Sequence, residues 1–450
     1  MFAALAACVA NEAGASFPSA DLVRFDGATL APGAYDPRDG AVVVEGATAD
    51  GHDWALAVGE GAVIAGVPAA GEVRRYVLDG NDAAGGEVLA SGNLTERFGG
   101  AVAAEGTTVF VAAPEANAGP ELAAAGALLR VGGSARFDGT ISQGRLGSAL
   151  AGCADLDGDG VHEVAASAPF EVDPTELVDS AGDPVALASV PPRGRVYVIP
   201  VDAAAGDAAA RAPINGVEAN EGFGDALSCT HDLTGDSNAD LVVGVPFARG
   251  AGDGLGEGVV RVYTAAGVAA GTPEVTVRAH AVGSSSAGAA ESFGAAVATC
   301  TLRSAVSAGR ADLVVGAPEA EGGDGAVYIF PGRDALVDGA TPTLTVRGEA
   351  PGGRFGAEVA CADLDGDGLD EVVVGAPGQD APDGTLEVGG VYAFTGLGAT
   401  SGTVGASVAG WSFSADRAFL RAGRSFVAGD LDGDGFAELV LLVRQRSRSQ

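Results

Sequence analysis

Three stretches of this 450-residue chain set carboxylates at alternate positions around glycines. They carry Asp155, Asp157, Asp159 and Glu163; Asp363, Asp365, Asp367 and Glu371; and Asp430, Asp432, Asp434 and Glu438. In each loop the acids stand at positions 1, 3, 5 and 9, with glycine at positions 4 and 6. Carboxylates at that spacing can converge on one hard cation, and the carbonyl at position 7 (Val161, Leu369 or Phe436) adds another oxygen. Calcium takes about six to eight oxygens at about 2.3–2.6 Å, so each loop is expected to bind one calcium ion. The glycines permit the tight turn. Without a cation the clustered carboxylates repel, so the metal is expected to stabilise the fold. A fourth stretch, Asp232, Thr234, Asp236, Asn238 and Asp240, has lost one carboxylate to Thr234 and is expected to form a weaker site. An EF-hand needs a bidentate glutamate at position 12 and flanking helices. Position 12 here is Ala166, Val374 or Leu441, and the flanks are strand-like runs such as Glu371-Val372-Val373-Val374, so that reading is rejected.

The elements that hold these loops come from an internal repeat. Phe98-Gly99, Leu146-Gly147, Phe223-Gly224, Phe293-Gly294 and Phe355-Gly356 each precede a small-apolar strand. Two degenerate starts surround Trp54 and Ala422-Gly423, which makes seven. A second strand then runs to a proline, as in Gly66-Val67-Pro68, Gly244-Val245-Pro246, Gly316-Ala317-Pro318 and Gly375-Ala376-Pro377. Proline cannot donate to a ladder, so the strand stops there. Third strands such as Gly325-Ala326-Val327-Tyr328 follow, and a fourth is visible as Thr343-Leu344-Thr345-Val346. Four short strands per unit predict the blades of a β-propeller.

The expected fold is therefore an all-β, seven-bladed propeller of four-stranded antiparallel blades over residues 18–445, with a tail at 446–450. The last unit lacks its outer strands. Leu22-Val23-Arg24-Phe25 and Ala41-Val42-Val43-Val44 are expected to supply them, so that the N-terminal strands complete the last blade and close the ring. Closure removes open sheet edges. Residues 1–17 read as a signal-like segment, in which Leu5-Ala6-Ala7-Cys8 resembles a prokaryotic lipobox, making Cys8 a lipidation candidate.

Composition excludes some partners. Asp and Glu number 60 against 25 Arg and no Lys, a net charge of −35. Nucleic acid and anionic membrane surfaces would be repelled. No 18-residue apolar run is present, so no transmembrane helix is expected. No HExxH, GxSxG or P-loop occurs. The histidines, His52, His162, His231 and His280, form no readable catalytic constellation, and the chain is not expected to be an enzyme. Cys153, Cys229, Cys300 and Cys361 end four successive first strands. Free buried thiols are the favoured reading, and disulfides between neighbouring blades the alternative.

The Phe-Gly starts, Gly-Ala-Pro ends and acidic loops closely resemble the FG-GAP repeat, the unit of the integrin α-chain propeller, over residues 20–445. The resemblance implies a seven-bladed ring with calcium on one face, held by Asp155, Asp157, Asp159, Glu163 and their counterparts. It also implies an extracellular or cell-surface protein acting as a protein- or glycan-binding, adhesion-like module. The alternatives are a structural envelope protein without a specific ligand and a propeller enzyme acting on polysaccharide. The loop at residues 170–194 joins strands two and three, so any partner site is expected on the face opposite the calcium loops.

Overall fold

In this computed structural model the described residues are the backbone of 2–10, 23–26 and 42–43, and residues 54–444 apart from 60, 80–81, 84–85, 205–212, 250–255, 281–289, 304–310, 333–334, 416–417, 432 and 434. They form an all-β propeller with six four-stranded antiparallel blades, not seven. Blade one is Ala55–Gly59, Ala62–Val67, Glu72–Tyr76 and Glu87–Ser91. Blade two is Val102–Glu105, Thr108–Ala113, Ala127–Arg130 and Arg136–Asp138. Blade three is Leu150–Cys153, Glu163–Ala168, Arg195–Pro200 and Ile214–Asn215. Blade four is Ala226–Ser228, Leu241–Val245, Val259–Tyr263 and Val275–Val277. Blade five is Ala296–Cys300, Asp312–Ala317, Ala326–Pro331 and Leu344–Arg347, with Gly402–Gly405 added in parallel at its edge. Blade six is Glu358–Ala362, Glu371–Ala376, Gly390–Phe394 and Trp411–Ser414.

A differently built sheet follows blade six. Phe426–Gly429 and Glu438–Arg444 form the expected hairpin. Its next strand is Phe2–Ala10, which runs parallel to Glu438–Arg444 with Leu5 opposite Leu439 and Cys8 opposite Leu442. Val23–Asp26 and Val42–Val43 pair with Phe2–Ala10 and not with the hairpin. The expected closure is corrected accordingly. The segment read as a leader contains the strand that flanks the hairpin, and Cys8 lies within it, its side chain outside the described residues. The physical reason is composition: Phe2–Ala10 is a continuous apolar run, suited to a strand with neighbours on both sides. Deleting residues 2–10 should expose the edge of Glu438–Arg444 and shift the chain toward aggregate on size-exclusion chromatography. Among the described residues no helix is long and apolar enough to cross a membrane.

The cores lie between blades. First strands of neighbouring blades pack side by side in order, and Phe426–Gly429 packs between those of blades six and one. Phe223 joins blade three to blade four, and Phe293 joins blade four to blade five, all fully buried. Trp54 and Tyr76 of blade one meet Leu431 and Val440 of the mixed sheet in the same way.

The two sequence motifs interlock across each gap. The Gly356 N–H donates to Gly375 O of its own blade at 2.9 Å, and its carbonyl faces Gly316 of blade five. A methyl group on Gly316 would lie 2.0 Å from that oxygen. Gly316→Ala is therefore expected to force blades five and six apart at a cost of roughly 3 kcal/mol, measurable by chemical denaturation.

Candidate metal centres

Each acidic loop is the turn of the hairpin between strands one and two. In blade three the ladder ends where Cys153 pairs with Glu163, and in blade six where Ala362 pairs with Glu371. The turn folds around its own first aspartate. Asp155 accepts N–H bonds from Gly158 at 2.7 Å and Gly160 at 2.9 Å. Asp159 accepts from Val161 at 2.8 Å, and Asp157 from Asp159 at 3.3 Å. Blade six repeats the pattern: Asp363 accepts from Gly366 and Gly368, Asp365 from Asp367, and Asp367 from Leu369. In the mixed sheet Asp430 accepts from Gly433 at 2.7 Å and Gly435 at 3.0 Å. Asp432 and Asp434 lie outside the described residues.

The loops gather carboxylates as the spacing requires. Asp155, Asp157, Asp159 and Glu163 bring ligand atoms within 4.8 Å of one another, and so do Asp363, Asp365 and Asp367. Glu371 is not part of the latter group, although it is buried and accepts the Leu364 N–H at 2.9 Å. The position-2 leucine is a feature that sequence reading missed. Leu156, Leu233 and Leu431 are buried between blades, and each donates its N–H to the position-9 acid. The signal was visible: all four loops carry leucine there.

Glu163 tests whether a cation fits. Its side chain is 0% exposed; Oε2 accepts from Leu156, and Oε1 has no hydrogen-bond partner. A buried carboxylate oxygen without a donor is costly. Burial pushes the Glu163 pKa up to about 7; the Leu156 N–H opposes this, and the charges of Asp157, Asp155 and Asp159 add to it. Burial and the Asp365 charge push Glu371 to about 8. A divalent cation among the aspartates would satisfy Glu163 and remove the repulsion. The loop opens onto a cavity of 230 Å³ lined by Leu156, Asp157, Glu163, Val198, Ile214 and Val268.

Two blades handle the same position without a cluster. In blade four Asp232, Asp236 and Asp240 are not gathered as in blade three. Asp240 accepts at Oδ2 from the N–H groups of Leu233 and Thr234, both at 2.7 Å, and at Oδ1 from the Thr234 hydroxyl at 3.2 Å. Asn238 donates its own N–H to Asp236 at 2.9 Å. Ser237 stands in the left-handed region at φ 80°, where the other loops have Gly160, Gly368 and Gly435. Ser237→Gly is expected to raise stability by about 1 kcal/mol, seen as a higher melting temperature. In blade five the equivalent acid is Asp312, opposite Cys300, and Arg303 Nη1 lies 2.5 Å from its Oδ1.

The cysteines correct the free-thiol expectation. Cys153–Cys229 and Cys300–Cys361 are disulfides that join blade three to four and blade five to six. Side-by-side packing of first strands brings the Cα atoms to 4.7 and 5.5 Å, within bonding range. Cys153 and Cys361 stand two residues before Asp155 and Asp363, so the staples anchor the loops at their roots. Of the histidines, His162 bonds Glu105, His231 bonds the hydroxyls of Thr230 and Thr299, and His280 bonds Glu291. His52 lies outside the described residues.

Comparison with known proteins matches part of the chain. The family model described as FG-GAP repeat matches residues 355–394, which span one Phe-Gly start, its acidic loop, its Gly-Ala-Pro end and a third strand. Phosphatidylinositol-glycan-specific phospholipase D of Mus musculus is 33% identical over 141 residues, and that of Rattus norvegicus 33% over 143. Each alignment covers 30% of this chain, and the chain spans only 16% of the length of these curated relatives. The crystal structure of Sqt1 from Chaetomium thermophilum aligns over 82% of this chain and 75% of its own, with 16% identity and a TM-score of 0.42.

Proposed function

We propose that this FG-GAP-containing β-propeller is an extracellular interaction module whose acidic loops bind calcium. The observation that carries the metal reading is the blade-three loop: four gathered carboxylates, one of them buried with an oxygen that no protein group satisfies. Asp155, Asp157, Asp159 and Glu163 would hold the ion, with counterpart sites at residues 363–371 and 430–438. Calcium supplies charge neutralisation and cross-links each turn; the chain's own N–H groups pre-orient the carboxylates. Two disulfides fit an oxidising compartment and so an extracellular or cell-surface location.

The partner is a protein or glycan, placed on the face opposite the metal loops. Strand two ends there, and Phe170 and Phe247 follow Pro169 and Pro246 at matching places in blades three and four. They are 48% and 53% exposed, and the Arg145 guanidinium lies 5.2 Å from the centre of the Phe170 ring. A lipid on Cys8 requires the Phe2–Ala10 strand to leave the sheet in the mature protein; mass spectrometry of the mature N-terminus decides that point.

Calorimetric titration of chelator-stripped protein with calcium tests the metal reading. Three sites support it; no heat and no rise in melting temperature would defeat it. A second reading, phospholipase activity, is favoured by the 141-residue match to phosphatidylinositol-glycan-specific phospholipase D. Release of a phosphatidylinositol-glycan-anchored reporter from vesicles by the purified chain would establish it, and no release would remove it.

A further inference from the structure

The first residue of strand two is buried wherever it is acidic, and its surroundings change from blade to blade. It is Glu163 in blade three, Glu371 in blade six and Glu438 in the mixed sheet, each within 2% of full burial. In blade five it is Asp312, 1% exposed, and in blade four Asp240 immediately precedes the strand at 0%. Blades one and two have Ala62 and Thr108 there, with short turns and no acidic loop. The buried acid thus occurs with the longer turn and is missing where the turn is short.

We infer that Thr234 and Arg303 replace the metal ion in blades four and five, so that these two side chains set the number of calcium sites at three. The part concerning Thr234 rests on the calcium reading; the part concerning Arg303 does not. A buried carboxylate requires donors or positive charge. In blade three one Glu163 oxygen is left for a cation. In blade four the Thr234 hydroxyl takes the corresponding place on Asp240, with its Oγ1 3.2 Å from Oδ1. In blade five the guanidinium meets Asp312, and Arg303 Nε donates to Gly398 O at 2.9 Å. That second bond fixes the charge from the neighbouring blade, so compensation there is permanent, whereas an ion can leave. The acids differ in length accordingly. The three metal loops use glutamate and the two compensated loops aspartate, one methylene shorter, which keeps the carboxylate close to its internal partner.

Two sets of variants test this in the full chain. Thr234→Asp restores the missing carboxylate and should raise the calcium stoichiometry from three to four in calorimetric titration; Thr234→Asp with Asp240→Glu should bind the fourth ion more tightly. A stoichiometry that stays at three overturns the role of Thr234. Arg303→Met should lower the melting temperature by about 5 °C, unrelieved by excess calcium. Arg303→Lys, which keeps the charge, should lose less, and Arg303→Met with Asp312→Leu should recover most of the loss because no buried charge remains. A double variant as unstable as Arg303→Met overturns the role of Arg303. If the wild-type chain binds no calcium, the metal reading and the role of Thr234 both fall, and the two melting temperatures still decide Arg303.

Discussion

Replacing Cys153 and Cys229 together by alanine is expected to lower the free energy of unfolding by about 4 kcal/mol. The two residues are 76 positions apart, so the cross-link closes a long loop in the unfolded chain. In the chain-entropy account a loop of that length restricts the denatured ensemble by about that amount. Cys300–Cys361, separated by 61 positions, should contribute nearly as much. The effect should extend to the blade-three acidic loop, because Ala154 N also bonds Cys229 O at 3.1 Å beside the staple. Urea denaturation of the double variant beside the oxidised parent measures the loss, and a calcium titration of the same protein should show weaker binding at blade three. A loss below about 1 kcal/mol would mean that the thiols are free in solution, since a closed loop of this length contributes more.

Saturating calcium is expected to stabilise the ring by about 2.7 kcal/mol per loop at a hundred times the dissociation constant, or about 8 kcal/mol over three loops. The pH dependence should differ in sign between the metal-free and loaded forms. Without metal, Glu163 and Glu371 are raised from the usual 4.5 to about 7 and about 8. A carboxyl raised by folding favours the folded state at low pH. That contribution is complete below about 4.5 and is lost as the pH climbs through 7 and 8. The chelated protein should therefore melt higher at pH 5 than at pH 8. Calcium needs the ionised carboxylates, so the melting-temperature gain it gives should be largest near pH 8 and fade below pH 6. A chelated protein that is most stable at pH 8 would contradict the unrelieved burial of Glu163.

The blades were legible because their information is local. Phe355-Gly356, the acidic loop at 363–371 and Gly375-Ala376-Pro377 lie within one hairpin, and the turn closes through bonds such as Gly368 N–H to Asp363 across five residues. The loop at Asp232, expected to form a weaker site, was legible only in part. Counting carboxylates does not reveal that the Thr234 hydroxyl turns onto Asp240, a matter of side-chain direction. Arg303 went unremarked because its partner Asp312 follows a stretch with no acidic pattern.

By itself the sequence determined the all-β blade, the strand-one to strand-two hairpin, the loop that gathers Asp155, Asp157, Asp159 and Glu163, and the face on which it lies. Each follows from residues fewer than about a dozen apart, where turn chemistry and strand period leave little choice. Only the tertiary structure decided the contacts between distant segments. Six antiparallel blades and one mixed sheet replace seven alike, because Phe2–Ala10 pairs with Glu438–Arg444 across the whole chain. The cysteines pair because first strands of successive blades stand side by side. Such pairings depend on which apolar surfaces meet after the blades have formed, and no spacing within one repeat encodes that.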